Sequence, residues 1–398
     1  MSITFGEIFA GIGAANAAFL PLGWENKFFV ENNGGALAQY LFNWDQKFHD
    51  FVIKNNVSER DVLAYAREWN IPHKFNDIYK VSGGVPAAGS DSFLPDADIF
   101  MTSPPCQSFS QSGLRNGLGA EKGDLFFETH RILKEALPKV FVLENVAGMM
   151  ISKEDPEYDG LCAEASGEYL YHYDGKFKGV LNTAGRNTFY DIILPSLGFS
   201  ANVAKYEIDH VWAYRGLQNR FVRLEQLPYR LYFKLVKAEE FGIPMLRPRV
   251  FIIGVRRDIR KRFQFPPPAK SMDSISAYVN PRAKRSDYFR FVDFEKGTKR
   301  YERAVRSRKR VRESGIIGLG SPYVNTFTTG TIERSVVVQK PNGDLRSFAD
   351  EQRRALMGFP LGFNSNVVSF TAAIKNYGNS ISVPTLQAIG RSLEKVLR

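Results

Sequence analysis

Along the first 150 residues, short apolar runs alternate with stretches in which apolar positions recur at helical spacing. The runs are typical of strands buried on both faces of a sheet, and they fall at 3–12, 27–33, 96–105 and 141–145. Helical patterns cover 14–24 and 123–136. Alternating strands and helices predict an α/β fold with a mostly parallel sheet.

The pattern changes further along the chain. Residues 151–190 lack periodicity and indicate an extended loop, after which 189–208 read as a helix followed by a strand. The basic and aromatic residues of 209–232 interrupt the alternation. A clear apolar strand at 250–258 precedes a proline cluster at 264–270, which indicates a domain boundary. The α/β character returns in a closing helix near the end of the chain.

Charge adds a second observation. The 398 residues contain 53 Lys and Arg against 42 Asp and Glu, a formal net charge of +11. A diffuse basic surface would explain this charge through solubility alone. Residues 282–312, however, hold a dense basic cluster with Tyr and Phe interleaved, which favours a nucleic-acid partner.

Composition limits the other classes of protein. Two cysteines cannot build a disulfide framework, so we expect a reducing, cytoplasmic compartment. No apolar run approaches the ~18 residues of a membrane span. The apolar opening of the chain has no basic leader and is interrupted by Glu7, so we do not interpret it as a signal peptide.

Candidate ligand-binding residues follow the predicted strands. Residues 9–13, FAGIG, follow a strand and open a helix, where glycines let a ligand approach the backbone. Glu31 ends the next strand and Asp77 could end a third. Each feature alone is weak, since tight turns need glycine and most acids are simply exposed. Together they lie at one sheet edge and point to a nucleoside-bearing cofactor.

Cys106 directly follows Pro104 and Pro105 at the end of a strand. A free cysteine is more often a buried structural residue, but the rigid prolines and the polar residues after it favour a nucleophile. Cys162 lies in a loop-like segment and receives no role.

Glu144 and two arginines are further candidates. Glu144 ends an apolar strand, where a carboxylate needs a partner or a task. Arg247 and Arg249 alternate along a strand, so we expect both on one face, holding an anion or orienting Glu144. A surface salt bridge is the alternative.

In order along the chain, these residues belong to blocks that resemble the C5-cytosine DNA methyltransferases, which use S-adenosylmethionine. The blocks are FAGIGAANAAF, VEN, NDI, SPPCQSFS, GDLFFE, VLENV, FGIPMLRPRVFIIG, RRALMGFP and YGNSISVP. Each is short, but their shared order over nearly the whole chain is specific.

The resemblance implies a Rossmann-like methyltransferase domain with a smaller, basic target-recognition domain. The cofactor domain would span 1–258 and be completed by 367–398, with target recognition at 259–366. The implied catalytic residues are Cys106, Glu144, Arg247 and Arg249. The implied cofactor-binding residues are Phe9, Gly11, Gly13, Glu31, Asp77, Ile78, Pro104, Leu125, Asn379 and Ser380.

The same resemblance implies methyl transfer from S-adenosylmethionine, without a metal, to C5 of a cytosine flipped out of double-stranded DNA. S-Adenosylhomocysteine would be the product. We expect a monomer with no membrane partner. The sequence leaves open whether a cognate restriction endonuclease acts separately, and it leaves the DNA site open.

Three departures from the family pattern stand out. Met245 takes the place of the usual Gln before the paired arginines, and Lys122 replaces an Arg. The segments 151–190 and 209–232 exceed what a minimal member needs, and we expect 209–232 to touch DNA or brace the recognition domain.

Two other functions remain open. A tRNA cytosine-5 methyltransferase would share the fold, but that branch carries a Cys-Phe-Thr signature in its recognition region, and no cysteine follows Cys162. A catalytically inactive DNA-binding relative would be expected to lack the Cys or the Glu, and both are present.

Overall fold

A computed structural model provides the architecture. It describes residues 2–72, 74–83, 93–105, 124–150, 193–198, 210–215, 220–269, 271–278, 292–302, 305, 316–317, 323–327, 337–340 and 342–398. Cys106, Lys122, Cys162 and the segment 151–190 therefore lie outside the described residues, as does most of the basic cluster 282–312.

The described residues form fifteen strands and nine α-helices. The strands are β1 Thr4–Ile8, β2 Glu25–Val30, β3 Lys74–Phe75, β4 Ile99–Thr102, β5 Val140–Val146, β6 His210–Arg215, β7 Arg220–Glu225, β8 Tyr229–Lys237, β9 Met245–Leu246, β10 Pro248–Arg256, β11 Asp293–Phe294, β12 Ile316–Ile317, β13 Val324–Asn325, β14 Val337–Gln339 and β15 Leu345–Ser347. The helices are α1 Ala14–Phe19, α2 Gly34–Trp44, α3 Gln46–Lys54, α4 Asp61–Glu68, α5 Asp124–Ala136, α6 Leu194–Leu197, α7 Asp350–Met357, α8 Phe370–Asn379 and α9 Val383–Leu397.

The central sheet has seven strands in the order β3-β2-β1-β4-β5-β10-β8. The first five are parallel, while β10 runs antiparallel to both β5 and β8. This arrangement confirms the predicted α/β class with a mostly parallel sheet. Because parallel strands share a direction, the carboxyl ends of β1, β2, β4 and β5 meet at one edge.

The strands are apolar because both faces of the sheet are covered. In β4 and β5, alternate residues enter two different cores: Met101 and Val142 pack on one side, and Phe100 and Leu143 on the other. All four are at most 4% exposed. Burial on both faces explains why the sequence shows continuous apolar runs rather than strict alternation.

The segment 209–232 differs from the simple interruption that its composition suggested. The strands β6 and β7 pair as an antiparallel hairpin, and β8 begins at Tyr229 and completes one edge of the central sheet. The basic residues of β8 hide its strand pattern in the sequence. Arg230 shows one reason for them, since its guanidinium donates to the carbonyl groups of Ile259 and Lys261.

The C-terminal helices pack into the core formed by the first strands. Gly390 of α9 lies so close to Phe19 of α1 that a Cβ atom there would be 2.9 Å from the ring. Trp24 Nε1 donates to Glu394 Oε1 at 3.1 Å. Leu356 and Phe359, on and just after α7, belong to the same buried cluster. The division into domains at 258 and 366 stays a prediction.

A second sheet has the order β11-β15-β14-β12, and the short strand β13 pairs with β9. Asp293 and Arg346 are register partners in the second sheet and also form an ion pair of 2.8 Å. Within the described ranges, no helix is long and apolar enough to cross a membrane.

The packing predicts an asymmetry between two glycine substitutions. A Cβ atom at Gly254 would lie 2.0 Å from the Phe141 ring, whereas at Gly362 no atom lies within 4 Å. We expect Gly254→Ala to lower the free energy of unfolding by about 2 kcal/mol, because overpacking strains a filled core. Gly362→Ala should stay within about 0.5 kcal/mol of the parent. Urea unfolding measures the stability of both variants. Equal stabilities would contradict the tight packing at Gly254 and the open space at Gly362.

Candidate active site

The predicted cofactor loop connects β1 to α1 in a conformation that few residues adopt. Gly11 and Gly13 have φ values of 59° and 82°, and Phe9, which is not a glycine, has a φ of 59°. A Cβ atom at Gly13 would lie 2.2 Å from Trp44 Nε1, whereas the space around the Gly11 Cα is open. Positive φ at a residue with a side chain costs energy and is typical of functional loops.

Glu31 follows β2 and is bound to this loop. Its Oε2 accepts from the Gly11 N–H at 2.7 Å, and its Oε1 accepts from the Asn33 N–H at 2.6 Å. Desolvation raises the pKa of the Glu31 carboxyl, against the lowering effect of these backbone N–H groups. The structure thus brings Gly11 and Glu31 into contact. The sequence had grouped these two residues only by their positions after predicted strands.

Asp77 and Ile78 form a turn after β3. The Asp77 side chain accepts from the Tyr79 N–H at 3.0 Å and caps a 3₁₀ turn, in which Ile78 is buried. Leu125, at the start of α5, packs against the hydrophobic cluster that contains Ile78. Arg131 of α5, which sequence reasoning did not single out, donates to the Ile78 carbonyl at 3.0 Å and so holds the turn against the helix.

The Glu144 carboxylate is 4% exposed at the end of β5. Ser103 Oγ, just after β4, donates to its Oε2 at 2.6 Å, and Arg249 Nε lies 3.1 Å from its Oε1. Asn145 Nδ2 donates to the carbonyl of the buried Pro104 at 3.0 Å. The ends of β4 and β5 therefore hold a buried carboxylate beside the Pro-Pro that precedes Cys106.

Arg247 and Arg249 contact different partners in the structure. Arg249 contacts Glu144, whereas Arg247, only 2% exposed, donates to the carbonyl groups of Gly378 and Ser380. Arg247 lies between β9 and β10, whereas Arg249 lies inside β10, so the two arginines do not alternate along one strand. Met245, in the preceding β9, is fully buried in the core, which explains an apolar residue there.

Asn379 and Ser380 lie at the end of α8, and Asn379 is exposed. Ser380 is 7% exposed, and its buried Oγ has no hydrogen-bond partner within the described part of the chain. Helix α8 packs on α2, where Asn376 Nδ2 donates to Gln39 Oε1 at 2.9 Å. Because α2 begins shortly after Glu31, this contact connects α8 to the sheet edge at which Glu31 lies.

Glu7 is a buried acid that sequence reasoning did not include in the site. It is 3% exposed in β1, and its Oε1 accepts from Asn26 Nδ2 at 2.9 Å and from the Tyr40 hydroxyl at 3.0 Å. Burial raises the pKa of Glu7 to about 8. Asn16 of α1 also donates to the Tyr40 hydroxyl, at 2.8 Å, so this network links β1, β2, α1 and α2 behind the loop. An acid inside an apolar strand is the signal that could have identified it.

The family model for C-5 cytosine-specific DNA methylase matches residues 3–174 and 213–395, so the chain belongs to this family. It is 28% identical to the Type II methyltransferase M1.ScrFI of Lactococcus lactis subsp. cremoris over 76% of this chain and 64% of that protein. The chain thus spans less than two thirds of the length of this relative.

Two further likenesses cover the whole chain. The Type II methyltransferase M.BsuFI of Bacillus subtilis is 25% identical over 100% of this chain and 74% of its own length. The crystal structure of the S. pombe Dnmt2 methyltransferase superposes with a TM-score of 0.57 and 16% identity, covering 100% of this chain and 99% of that one. This structural match supports the fold.

Because the Glu144–Arg249 pair is buried, substitution of Arg249 should lower the free energy of unfolding more than substitution of another arginine on the same strand. We expect Arg249→Met to lower the free energy of unfolding by about 3 kcal/mol, because it leaves a buried carboxylate without its cation. Arg256 of β10 pairs with the exposed Asp258 at 2.8 Å, and Arg256→Met should cost about 1 kcal/mol or less. Urea unfolding compares them, and similar costs would mean that the Glu144 pair is not buried as described.

Glu7 predicts a pH dependence of stability. Because the pKa of its carboxyl in the folded protein, about 8, is above the ordinary value of 4.5, the unfolded chain ionises first as pH rises. Stability contributed by protonated Glu7 should therefore be full below pH 4.5 and lost towards pH 8. Relative to Glu7→Gln, the parent should lose on the order of 3 kcal/mol between pH 5 and pH 8 in urea unfolding. A pH-independent difference between the two proteins would refute this assignment.

Proposed function

We propose that the chain is a DNA (cytosine-5-)-methyltransferase of the kind found in type II restriction-modification systems. The observation that carries the proposal is the buried Glu144 carboxylate, held by Ser103 and Arg249 beside the Pro104–Pro105 pair that leads into Cys106. Family membership supports the same reaction, and the named relatives are themselves Type II methyltransferases.

The residues at the cofactor edge fit S-adenosylmethionine, which would supply the methyl group. The open space at Gly11 admits a ligand close to the backbone, and the buried Ser380 Oγ can bond to it. Glu31 would accept from the ribose hydroxyls through its remaining lone pairs.

Asp77 and Ile78 would bind the adenine edge, with Phe9 against the ring and Leu125 adding apolar contact. Gly13 would shape the loop, and Pro104 and Asn379 would add further contacts to the cofactor.

The chain's own groups would activate the cytosine. C5 is a poor nucleophile, so attack of the Cys106 thiolate on C6 is needed to form an S–C6 bond and move electron density to C5. A hydrogen bond to N3 from the Glu144 carboxyl group in its protonated form would stabilise the charge that develops on the ring, with Arg249 holding the carboxyl group. Arg247 would support the site from behind by fixing the carbonyl groups of Gly378 and Ser380. After C5 takes the methyl group, loss of its proton to a base such as water expels the thiolate.

The substrate would be double-stranded DNA, because the net charge of +11 favours a polyanion. The target cytosine must leave the helix, since C6 is not accessible to a thiol within the stacked duplex. We further propose a cytoplasmic monomer in which 259–366 recognise the DNA site. The hairpin β6–β7 would extend the basic surface towards the DNA or brace that region.

Expression in a bacterial host lacking cytosine methylation, followed by genome-wide methylcytosine sequencing, tests this function. The parent chain should methylate cytosine within one DNA sequence, and Cys106→Ala should abolish methylation because no thiolate remains to attack C6. Cys162→Ala is the matched control and should retain activity, since no role is assigned to Cys162.

Retained methylation in Cys106→Ala would exclude the covalent mechanism. A tritiated methyl donor offered to duplex DNA and to tRNA in parallel separates the alternatives. Transfer to tRNA alone would favour the RNA-modifying branch, and transfer to neither would favour a binding protein.

A further inference from the structure

The ends of β4 and β5 are joined by two side-chain hydrogen bonds that run in opposite directions. From β4, Ser103 Oγ donates to Glu144 Oε2 at 2.6 Å, and the Glu144 carbonyl lies 3.3 Å away. From β5, Asn145 Nδ2 donates to the Pro104 carbonyl at 3.0 Å. The backbone register of the two strands ends at Thr102 and Leu143. The side chains therefore continue the connection beyond the point where the backbone pairing stops.

The bond from Ser103 determines how the Glu144 carboxyl plane can turn. The last torsion of a glutamate is broad, so one partner on one oxygen leaves the plane free to rotate. Here the two oxygens have separate partners, Arg249 Nε at 3.1 Å from Oε1 and Ser103 Oγ at 2.6 Å from Oε2. The second distance is typical of a hydroxyl that donates to a carboxylate. The two contacts restrict the rotation of the plane: Ser103 supplies a directional hydrogen bond, and Arg249 supplies an ion pair without hydrogen-bond geometry, since Oε1 has no hydrogen-bond partner among the described residues.

The backbone of Ser103 is itself constrained. A residue before proline avoids the helical region, and each proline fixes its own φ, so Ser103, Pro104 and Pro105 form a stiff segment. Cys106 follows this segment in the sequence. A hydroxyl on Ser103 therefore links the orientation of the acid to the segment that precedes the nucleophile.

We propose that Ser103 is a positioning residue for methyl transfer: its hydroxyl orients the Glu144 carboxyl group towards the flipped cytosine. This inference rests on the proposed function and adds to it a residue that acts through Glu144. It predicts an effect on the chemical step rather than on the binding of cofactor or DNA.

The first test measures kcat and KM with saturating cofactor for Ser103→Ala, Ser103→Thr and Thr102→Val. Ser103→Ala should lower kcat on the order of tenfold, since a slightly misplaced catalytic group loses rate, with KM values within about twofold of the parent. Ser103→Thr keeps the hydroxyl and should restore kcat. Thr102→Val is the matched control, because Thr102 Oγ1 is buried and has no hydrogen-bond partner among the described residues.

Rates are expressed per cofactor-binding site, so that loss of folded protein does not count as loss of kcat. Parent-like kcat in Ser103→Ala, or an equal loss in Thr102→Val, would overturn the proposal. If Ser103→Ala does not fold, Ser103→Thr and Ser103→Val decide, since they have similar volume and differ by the hydroxyl. Equal kcat in that pair would again overturn it.

A second test does not depend on activity. Urea unfolding of Ser103→Ala, Glu144→Gln and the double variant forms a cycle, and the midpoint shifts should be non-additive because the two side chains share one bond. Additive shifts would overturn the Ser103–Glu144 bond. A parent protein that methylates no DNA would overturn the proposed function, and the cycle keeps the two failures apart.

Discussion

A sheet that is covered on both faces accepts polar side chains mainly at its edges, because a buried polar group without a partner is costly. The strands β1, β4 and β5 are mostly apolar, Glu31 and Ser103 directly follow β2 and β4, and Glu144 lies two residues before the end of β5 at the same edge. Glu7 is an exception within β1, and it is accommodated by hydrogen bonds from Asn26 and Tyr40. The location of the candidate site follows from this arrangement of the sheet.

The two halves of the edge are stabilised by different kinds of interaction. At the half proposed to bind the cofactor, backbone N–H groups of Gly11 and Asn33 hold Glu31, so the loop and the acid keep a fixed relation. At the half that contains Glu144, the carboxylate is held by the side chains of Ser103, which follows β4, and Arg249, which belongs to β10. Backbone contacts tolerate side-chain changes, whereas a carboxylate held by side chains depends on the identity of each partner. The position of Glu144 therefore depends more closely on the identity of its neighbours than the position of Glu31 does.

Arg247 connects the C-terminal part of the chain to this edge. Its guanidinium reaches the carbonyl groups of Gly378 and Ser380, while α8 packs on α2 through Asn376 and Gln39. Residues separated by more than 130 positions are thereby fixed relative to Glu31. Arg247 thereby supports the end of α8, and Met245, two residues before it, is buried in the core.

Much of this could be predicted from the sequence because its signals are local. Continuous apolar runs identify strands buried on both faces, glycines at 11 and 13 mark a turn with positive φ, and an acid after or near the end of an apolar run identifies Glu31 and Glu144. Only the tertiary structure showed the Ser103–Glu144 bond, the separate partners of Arg247 and Arg249, and the place of β8 at the sheet edge. These depend on which strands become neighbours, and pairing between distant segments is determined by packing of the whole core rather than by local pattern.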